Sequence, residues 1–417
     1  MDNNGAIGKG RKRCREQEAG DTAAIDRLSS LPDPILCHVL SFLDTKSVVQ
    51  TSVLSQRWRS TWKHISVLNF TRDSFKRFLV FAIHVLKFLC GRHPGNIQKL
   101  SYVDDGASWK QQHSIVFDKV LAYASTCDVQ HLSIDFGEAS EFKQHKRCSD
   151  LFYEVLGCKL KTLELRYVTL DSELGAAGFR MLTTLIVECC FLFSEQEEEE
   201  KVLDPFSKFP CLKHLVLYDS IPLQKCLDAE KRGLKINGPH LLSLKLSCVE
   251  FPSVEVYAPK LERFVLWHDV QYLTLSNLTL PSLDHADIWV CDEHDFVKDN
   301  KELVHQQFMT LFQGLHNAKS LKLYWATVEV LKDFCGVLEE QPSPFKRLKS
   351  LISEADRVPY KLVNYFLKGS SGERPTPSAI PAPRLIAVWA LAAAEVILPL
   401  HGDDNFSRQV SQNRTPP

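Results

Sequence analysis

PCLKHLVLYDS, residues 210–220, holds the pattern on which the architecture turns. Leu212, Leu215 and Leu217 stand in the order L-x-x-L-x-L, with Pro210 two residues ahead of the first. Alternate side chains of an extended strand share a face, so Leu215 and Leu217 point together into a core while Leu212 turns the chain inward. The same spacing recurs at Leu160-x-x-Leu163-x-Leu165, Leu182-x-x-Leu185-x-Val187 and Leu241-x-x-Leu244-x-Leu246. It continues at Leu261-x-x-Phe264-x-Leu266, Leu283-x-x-Ala286-x-Ile288 and Ala318-x-x-Leu321-x-Leu323, with weaker copies starting at Ile97 and Val129. Pro239, Pro259 and Pro281 stand where Pro210 does. The middle anchors Leu100, Leu132, Leu163, Leu185, Leu215, Leu244, Phe264, Ala286 and Leu321 are separated by 32, 31, 22, 30, 29, 20, 22 and 35 residues.

Spacing of this kind is that of leucine-rich repeats, in which each repeat gives one strand and none buries its apolar face alone. The expected fold class is α/β: a short three-helix block followed by an irregular leucine-rich-repeat solenoid with a curved parallel sheet over residues 96–326. A flat α/β sheet without a solenoid is the alternative. Many such repeats carry Asn or Cys three residues after the last leucine, where the side chain satisfies backbone groups of the turn. That position holds Val168, Cys190, Ser220, Val249, Asp269, Cys291 and Ala326. Only Cys190 and Cys291 conform, so uneven curvature and varied outer segments are expected. Residues 112–126 read as an amphipathic outer helix, and SEQEEEE, residues 194–200, as an exposed acidic loop.

If both leucines of L-x-L point inward, the residue after the second points to the open face of the sheet. That column runs Val103, Asp135, Arg166, Glu188, Tyr218, Ser247, Trp267, Trp289 and Tyr324. Exposed aromatic side chains are what protein-binding hot spots are made of, so Tyr218, Trp267, Trp289 and Tyr324 form a candidate substrate-recognition patch. The competing reading, that other segments cover these rings as ordinary core, stays open at this stage.

Upstream, residues 27–66 read RLSSLPDPILCHVLSFLDTKSVVQTSVLSQRWRSTWKHIS. Pro32 and Pro34 suit a first helical turn, followed at helical spacing by Ile35, Leu36, Val39, Leu40 and Leu43. Asp44 is placed to cap a second helix, and Ser55 a third that carries Trp58, Trp62 and Ile65 at i, i+4 and i+7. So short a block carries more large apolar side chains than one small core needs. The surplus must cover either the rest of this chain or another protein's helices, and the residues alone leave both open. Residues 67–95 connect this block to the repeats, with a buried helix expected over residues 75–90.

The run LPDPIL…SFLDTKSVVQTSVLSQRW resembles an F-box, with Leu-Pro, an Ile-Leu helix, a Phe-Leu end and a closing Arg-Trp. That resemblance implies docking onto a Skp-type adaptor and, through it, a cullin. Carried over by position, the adaptor contacts would come from Leu31, Pro32, Ile35, Leu36, Leu40, Leu43 and Trp58, while Trp62 reads as core packing. Residues 345–369, FKRLKSLISEADRVPYKLVNYFLKG, resemble the start of the FBD region, giving a partial FBD-like segment over 340–369. The chain as a whole is therefore similar to the plant F-box/FBD/leucine-rich-repeat proteins. Beyond Gly369 that similarity stops, and a Pro-rich then Ala-rich tail over 370–417 leaves the last cap of the solenoid in doubt.

Composition narrows the remaining classes. With 50 Lys+Arg against 51 Asp+Glu in 417 residues, the chain lacks the basic excess of a duplex-coating nucleic-acid binder. Its 13 cysteines form no CxxC pair, which points to reduced thiols in nucleus or cytoplasm. Lys9, Arg11, Lys12, Arg13 and Arg15, within a tail of residues 1–26 expected to be disordered, read as a nuclear address or as a solvated charge run. LIAVWALAAAEVILPL, from Leu385 to Leu400, is shorter than a membrane span and is interrupted by Glu395, so no membrane partner is expected. No G-x-S-x-G, H-E-x-x-H or Gly-rich phosphate loop is present, and neither catalytic residues nor a cofactor are expected. His285, Asp287, Cys291 and His294 are the densest metal-like cluster, but Cys291 falls in the turn beyond the strand, which argues against a metal site. Adjacent Cys189 and Cys190 cannot both face the core, and a thioester-forming cysteine is not expected there. The reading is a non-catalytic substrate receptor of an SCF-type cullin–RING ubiquitin ligase, with an unknown protein as target. A protein-interaction scaffold without ligase association is the alternative.

Overall fold

The computed structural model describes residues 30–92, 95, 97–104, 111–137, 159–171, 179–193, 202–222, 233–355 and 357–368. The basic cluster Lys9–Arg15, the acidic stretch 194–200 and the tail from Gly369 lie outside the described residues. Eleven strands form one parallel sheet, each hydrogen-bonded to the next along the chain. They are Val67–Thr71, Lys99–Val103, His131–Asp135, Thr162–Arg166, Thr184–Glu188, His214–Tyr218, Ser243–Ser247, Arg263–Asp269, His285–Cys291, Ser320–Leu323 and Ser350–Ser353. Consecutive strands lying side by side, all parallel, are the signature of a solenoid.

Register follows the leucine pattern without a slip. Leu68, Leu100, Leu132, Leu163, Leu185, Leu215, Leu244, Phe264, Ala286, Leu321 and Leu351 are paired across successive strands. A one-residue shift would turn the whole apolar row to solvent, so burial pins the alignment. The sheet nevertheless starts earlier and ends later than the boundaries at 96 and 326. The connecting segment supplies its first strand and the FBD-like segment its last. Both carry the pattern with substitutions, Ile65-x-x-Leu68-x-Phe70 and Leu348-x-x-Leu351-x-Ser353.

Each prolyl signal has a structural cause. Leu212, Leu241, Leu261 and Leu283 donate their N–H to the carbonyls of Phe209, Gly238, Ala258 and Leu280. Pro210, Pro239, Pro259 and Pro281 thus sit second in four-residue turns, where a fixed φ near −65° suits the ring. Where each strand leaves, Tyr167, Cys189, Asp219 and Cys248 hold left-handed backbone, with φ between 46° and 54°. None of the four is glycine, so every one of these turns carries a cost for its side chain.

Backbone groups of the turns find partners other than asparagine. The buried Cys190 thiol donates to the Leu165 and Glu188 carbonyls at 3.4 and 3.2 Å. Ser220 Oγ donates to the Tyr218 carbonyl at 3.2 Å. Thr327 Oγ1 accepts from the Val290 N–H and donates to the Ile288 carbonyl, both at 2.8 Å. In the repeat where Val249 stands, buried His268 takes over: its Nε2 lies 3.2 Å from the Val249 nitrogen and its Nδ1 lies 3.1 Å from the Asp269 carbonyl. The same Nε2 lies 3.0 Å from the Val249 carbonyl, so the ring meets both backbone groups of Val249 and its tautomer sets which of them it bonds.

The outer side varies as the irregular repeats imply. Helices Asp33–Leu40 (α1), Thr45–Gln50 (α2) and Trp58–Thr61 (α3) lead into Phe78–Cys90 (α4) and Gln111–Ser125 (α5). Short parallel strands replace helices through the middle repeats, from Thr169–Asp171 to Leu275–Thr279. Helices return at Lys301–Gly314, Trp325–Lys332, Cys335–Glu340 and Tyr360–Leu367. The last of these closes the far end, with Phe366 packed on Phe312 and Phe345 at ring distances of 5.2 and 5.5 Å. No helix among the described residues is long and apolar enough to cross a membrane. The expectation that residues 75–90 form a buried helix is corrected: α4 buries Phe81, Val85 and Phe88 but exposes Leu79, Val80, Ile83 and Leu86.

Burial holds the His268 imidazole below the ordinary value of 6.5, against the pull of its hydrogen bonds and of Asp269. The unfolded chain takes up a proton near that value which the folded chain refuses, so stability is complete above about pH 6.5 and is lost as pH falls. Thermal unfolding should show Tm dropping between pH 7 and pH 5. The His268→Asn variant should be less stable at pH 7 and show a shallower acid decline.

Candidate functional site

Two exposed faces stand out. The first belongs to α1, which begins after Pro32 and buries Leu36 and Leu40 one turn apart. Beside that face Ile35 and Val39 stand one turn apart and Phe42 follows in the turn after the helix, all exposed, with Ile35 at 47% and Phe42 at 48%. Leu43 is exposed beside them, and Val53 and Leu54 project from the end of the short turn after α2. Asp44 caps α2 as expected, its carboxylate accepting from the Ser47 N–H at 3.0 Å and the Ser47 hydroxyl at 2.8 Å. Ser55 does not cap α3: its hydroxyl is buried without a hydrogen-bond partner.

The seven residues assigned to adaptor contact separate into two groups. Pro32, Ile35 and Leu43 are exposed, and Leu31 is half-buried. Leu36, Leu40 and Trp58 are corrected: they are 0%, 1% and 4% exposed and belong to the chain's own core. A helix cannot present both faces at once, and α1 spends the Leu36–Leu40 face inward. Val39 and Phe42, which the sequence reading did not assign to adaptor contact, are exposed beside Ile35. Trp62 packs on α4, 5.0 Å from the Phe88 ring. A Cβ added at Gly91 would come within 2.8 Å of the Trp62 ring, so the bare glycine lets the indole sit there.

The second face is the open side of the sheet. Tyr218, Trp267, Trp289 and Tyr324 lie on it, each half-buried, opposite the buried row of Leu217, Leu266, Ile288 and Leu323. The Trp267 ring lies 6.3 Å from Trp289 and 5.9 Å from Tyr324. Lysines stack against the rings: Lys245 Nζ is 4.6 Å from the Trp267 centroid and Lys322 Nζ is 4.3 Å from that of Tyr324. Ser247, Lys245 and Val265 are buried on this face. Burial holds the Lys245 ammonium below the ordinary lysine range, with Glu188 pulling the other way, and pushes the Tyr218 hydroxyl up.

Toward the first repeats the same face is charged. Arg166 reaches Glu188 at 2.7 Å and Asp135 at 3.8 Å. Burial raises the Glu188 carboxyl despite Arg166. His285, Asp287, Cys291 and His294 do not converge, and no metal-capable group of three or more donors occurs among the described residues. The Cys291 thiol instead faces the His268 carbonyl and Asp269. Burial pushes the Cys190 thiol up to about 12 and Cys189 up as well, which removes the thiolate either would need as a nucleophile.

Comparison with known proteins agrees with this layout. Residues 28–70 match the family model of the F-box domain. An F-box/FBD/LRR-repeat protein of Arabidopsis thaliana is 27% identical over 370 residues, covering 80% of this chain and 70% of its own length. F-box/LRR-repeat protein 13 of the same plant is 26% identical, covering 85% of this chain and 77% of itself. An FBD-associated F-box protein, also from Arabidopsis thaliana, reaches 38% identity over 26% of this chain and 24% of its own length. The resemblance to F-box/FBD/leucine-rich-repeat proteins thus extends over most of the chain, with an F-box ahead of the repeat region.

The division of α1 into an inner and an outer face has a direct consequence for stability. Trp58→Ala should cost about 3–5 kcal/mol by thermal or denaturant unfolding, whereas Ile35→Asp should shift stability by less than about 0.5 kcal/mol.

Proposed function

We propose that this chain is the substrate-recognition subunit of an SCF-type cullin–RING ubiquitin ligase. F-box domains dock onto Skp-type adaptors, and the resemblance over residues 28–70 brings that partner to this chain. The single observation that supports the reading best is the apolar stripe of Ile35, Val39 and Phe42, which the fold leaves uncovered on the F-box. Two anchors one helical turn apart, with a third in the turn that follows, suit a helix-in-groove contact, in which a few apolar side chains carry most of the affinity. The adaptor would tie the chain to a cullin, and the open face of the repeats would hold the target.

Such a receptor needs no reacting groups of its own. Holding a target lysine near a ubiquitin-loaded enzyme turns a bimolecular encounter into an effectively intramolecular one, and positioning alone supplies a large share of the barrier reduction. The half-buried aromatic rows and inert thiols are consistent with that division of labour.

Co-purification tests the reading. Full-length chain should capture a Skp-type adaptor, and Ile35→Asp combined with Phe42→Asp should weaken capture by at least about tenfold while Tm is retained. An intact, folded chain that captures no adaptor would favour a scaffold working outside any ligase.

A further inference from the structure

The two ends of the sheet differ. At the first strand, Val67–Thr71, the connection between α1 and α2 lies alongside, and the Asn69 amide donates to the Ser41 and Leu43 carbonyls. At the last, Ser350–Ser353, the strand pairs with Ser320–Leu323 and, among the described residues, with no strand on its other flank. The inward row shows the same contrast. The middle anchors of the ten preceding strands, from Leu68 to Leu321, are all buried, whereas Leu351 is half-buried and every residue of its strand is partly exposed. The helix Tyr360–Leu367 closes the outer layer at that end, through Phe366 on Phe312 and Phe345, but it adds nothing to the strand ladder. Among the described residues the solenoid thus stops one strand short of covering its last apolar row.

The sequence after Gly369 carries a further copy of the strand signature. Ala382-Pro383-Arg384-Leu385 echoes Ala258-Pro259-Lys260-Leu261, the entry to the strand Arg263–Asp269. Leu385-x-x-Val388-x-Ala390 then keeps the spacing of the ladder, with Pro383 two residues ahead of its leucine as Pro210, Pro239, Pro259 and Pro281 are ahead of theirs. Valine and alanine both have precedents as anchors, since Val187 and Ala286 are fully buried in the row. Val388 follows Leu351 by 37 residues, close to the 35 between Ala286 and Leu321. We propose that residues 385–391 add a twelfth parallel strand to the open flank, with Val388 beside Leu351, Ala390 beside Ser353 and Leu385 turned inward beside Leu348. Trp389 then joins Ile352 on the open face. Residues 368–383 make the connection, and 16 residues extend to roughly 50 Å, well beyond the ~10 Å between layers. Pro375, Pro377 and Pro381 cannot donate to a ladder, which confines the pairing to the segment after Pro383. A second copy of the chain fits less well. End-to-end stacking of copies needs the flank of Val67–Thr71, where the connection between α1 and α2 already lies. The inference goes beyond the ligase reading and does not rest on it.

Hydrogen exchange of the full-length chain, read by mass spectrometry, provides the first test. Amides of residues 386–391 should exchange at least about tenfold more slowly than those of 370–382, and Val388→Asp should abolish that difference while speeding exchange at Leu351, Ile352 and Ser353. The strands around Leu215 and Leu244 should be unmoved, because coupling in such an array runs between neighbours. Should Val388→Asp not fold, a disulfide decides the register. Ile352→Cys with Trp389→Cys puts two thiols on one face of adjacent strands, with Cα atoms about 5 Å apart and within disulfide reach. Mild oxidation should give a 352–389 link within one chain, identified by peptide mapping. Ile352→Cys with Val396→Cys, beyond the strand, should give no link. Fast exchange throughout 386–391 would overturn the proposal and leave the flank to a foreign strand. Unchanged exchange at Leu351, Ile352 and Ser353 in a folded Val388→Asp chain, or a link to position 396 in place of 389, would also overturn it. A link between two chains would do the same in favour of a second copy at the edge.

Discussion

Hydrogen bonds handed from one repeat to the next hold this protein together. At the approach to each strand a single carbonyl, such as Gln98, Gln130, Lys161, Thr183 or Lys213, accepts two successive N–H groups of the following repeat. No repeat can satisfy its own backbone, and none can bury its leucines without a neighbour on each side. Stability in such an array is close to a sum of nearest-neighbour terms, so a weak repeat lowers cooperativity locally rather than unfolding the whole. The same logic explains why the turn position tolerates valine, cysteine, serine or alanine. What the fold requires is a partner for the buried backbone, and His268 and Thr327 supply one from other positions.

The leucine ladder was legible because its chemistry is repeated. Nine middle anchors read from spacing alone are paired in register across the sheet, and the open-face column falls where strand alternation puts it. The ends were less legible. Phe70 and Ser353 replace the second leucine in the first and last strands, and a pattern search tuned to leucine passes over them. Ser55 failed as a cap because the chain takes a short 3-10 turn at Thr51–Val53 before α3 starts at Trp58, which moves the helix start away from it.

Resemblance and physics disagreed most usefully at α1. Transfer by position assigned Leu36, Leu40 and Trp58 to a partner, yet these side chains fasten the three-helix block to itself and to the repeats. A motif records which residues recur together, not which of them face outward. Burial supplies the missing half: Leu36 and Leu40 are inside, whereas Ile35 and Val39, one turn apart, and Phe42 in the turn that follows are exposed. The helix is thus a two-sided element, one side buried in the core and the other exposed.

The first strand, Val67–Thr71, is the outermost of the sheet, and the chain between α1 and α2 lies against it. The Asn69 side-chain amide donates to the Ser41 and Leu43 carbonyls at 3.4 and 3.3 Å. An unpaired strand flank is a template for adding foreign β-strands, and folds that keep one usually shield it. The three-helix block therefore doubles as a guard against fibril-like self-association. A polypeptide trimmed just past Ile65 would lose its exposed apolar stripe and bare the flank of its first strand in the same stroke.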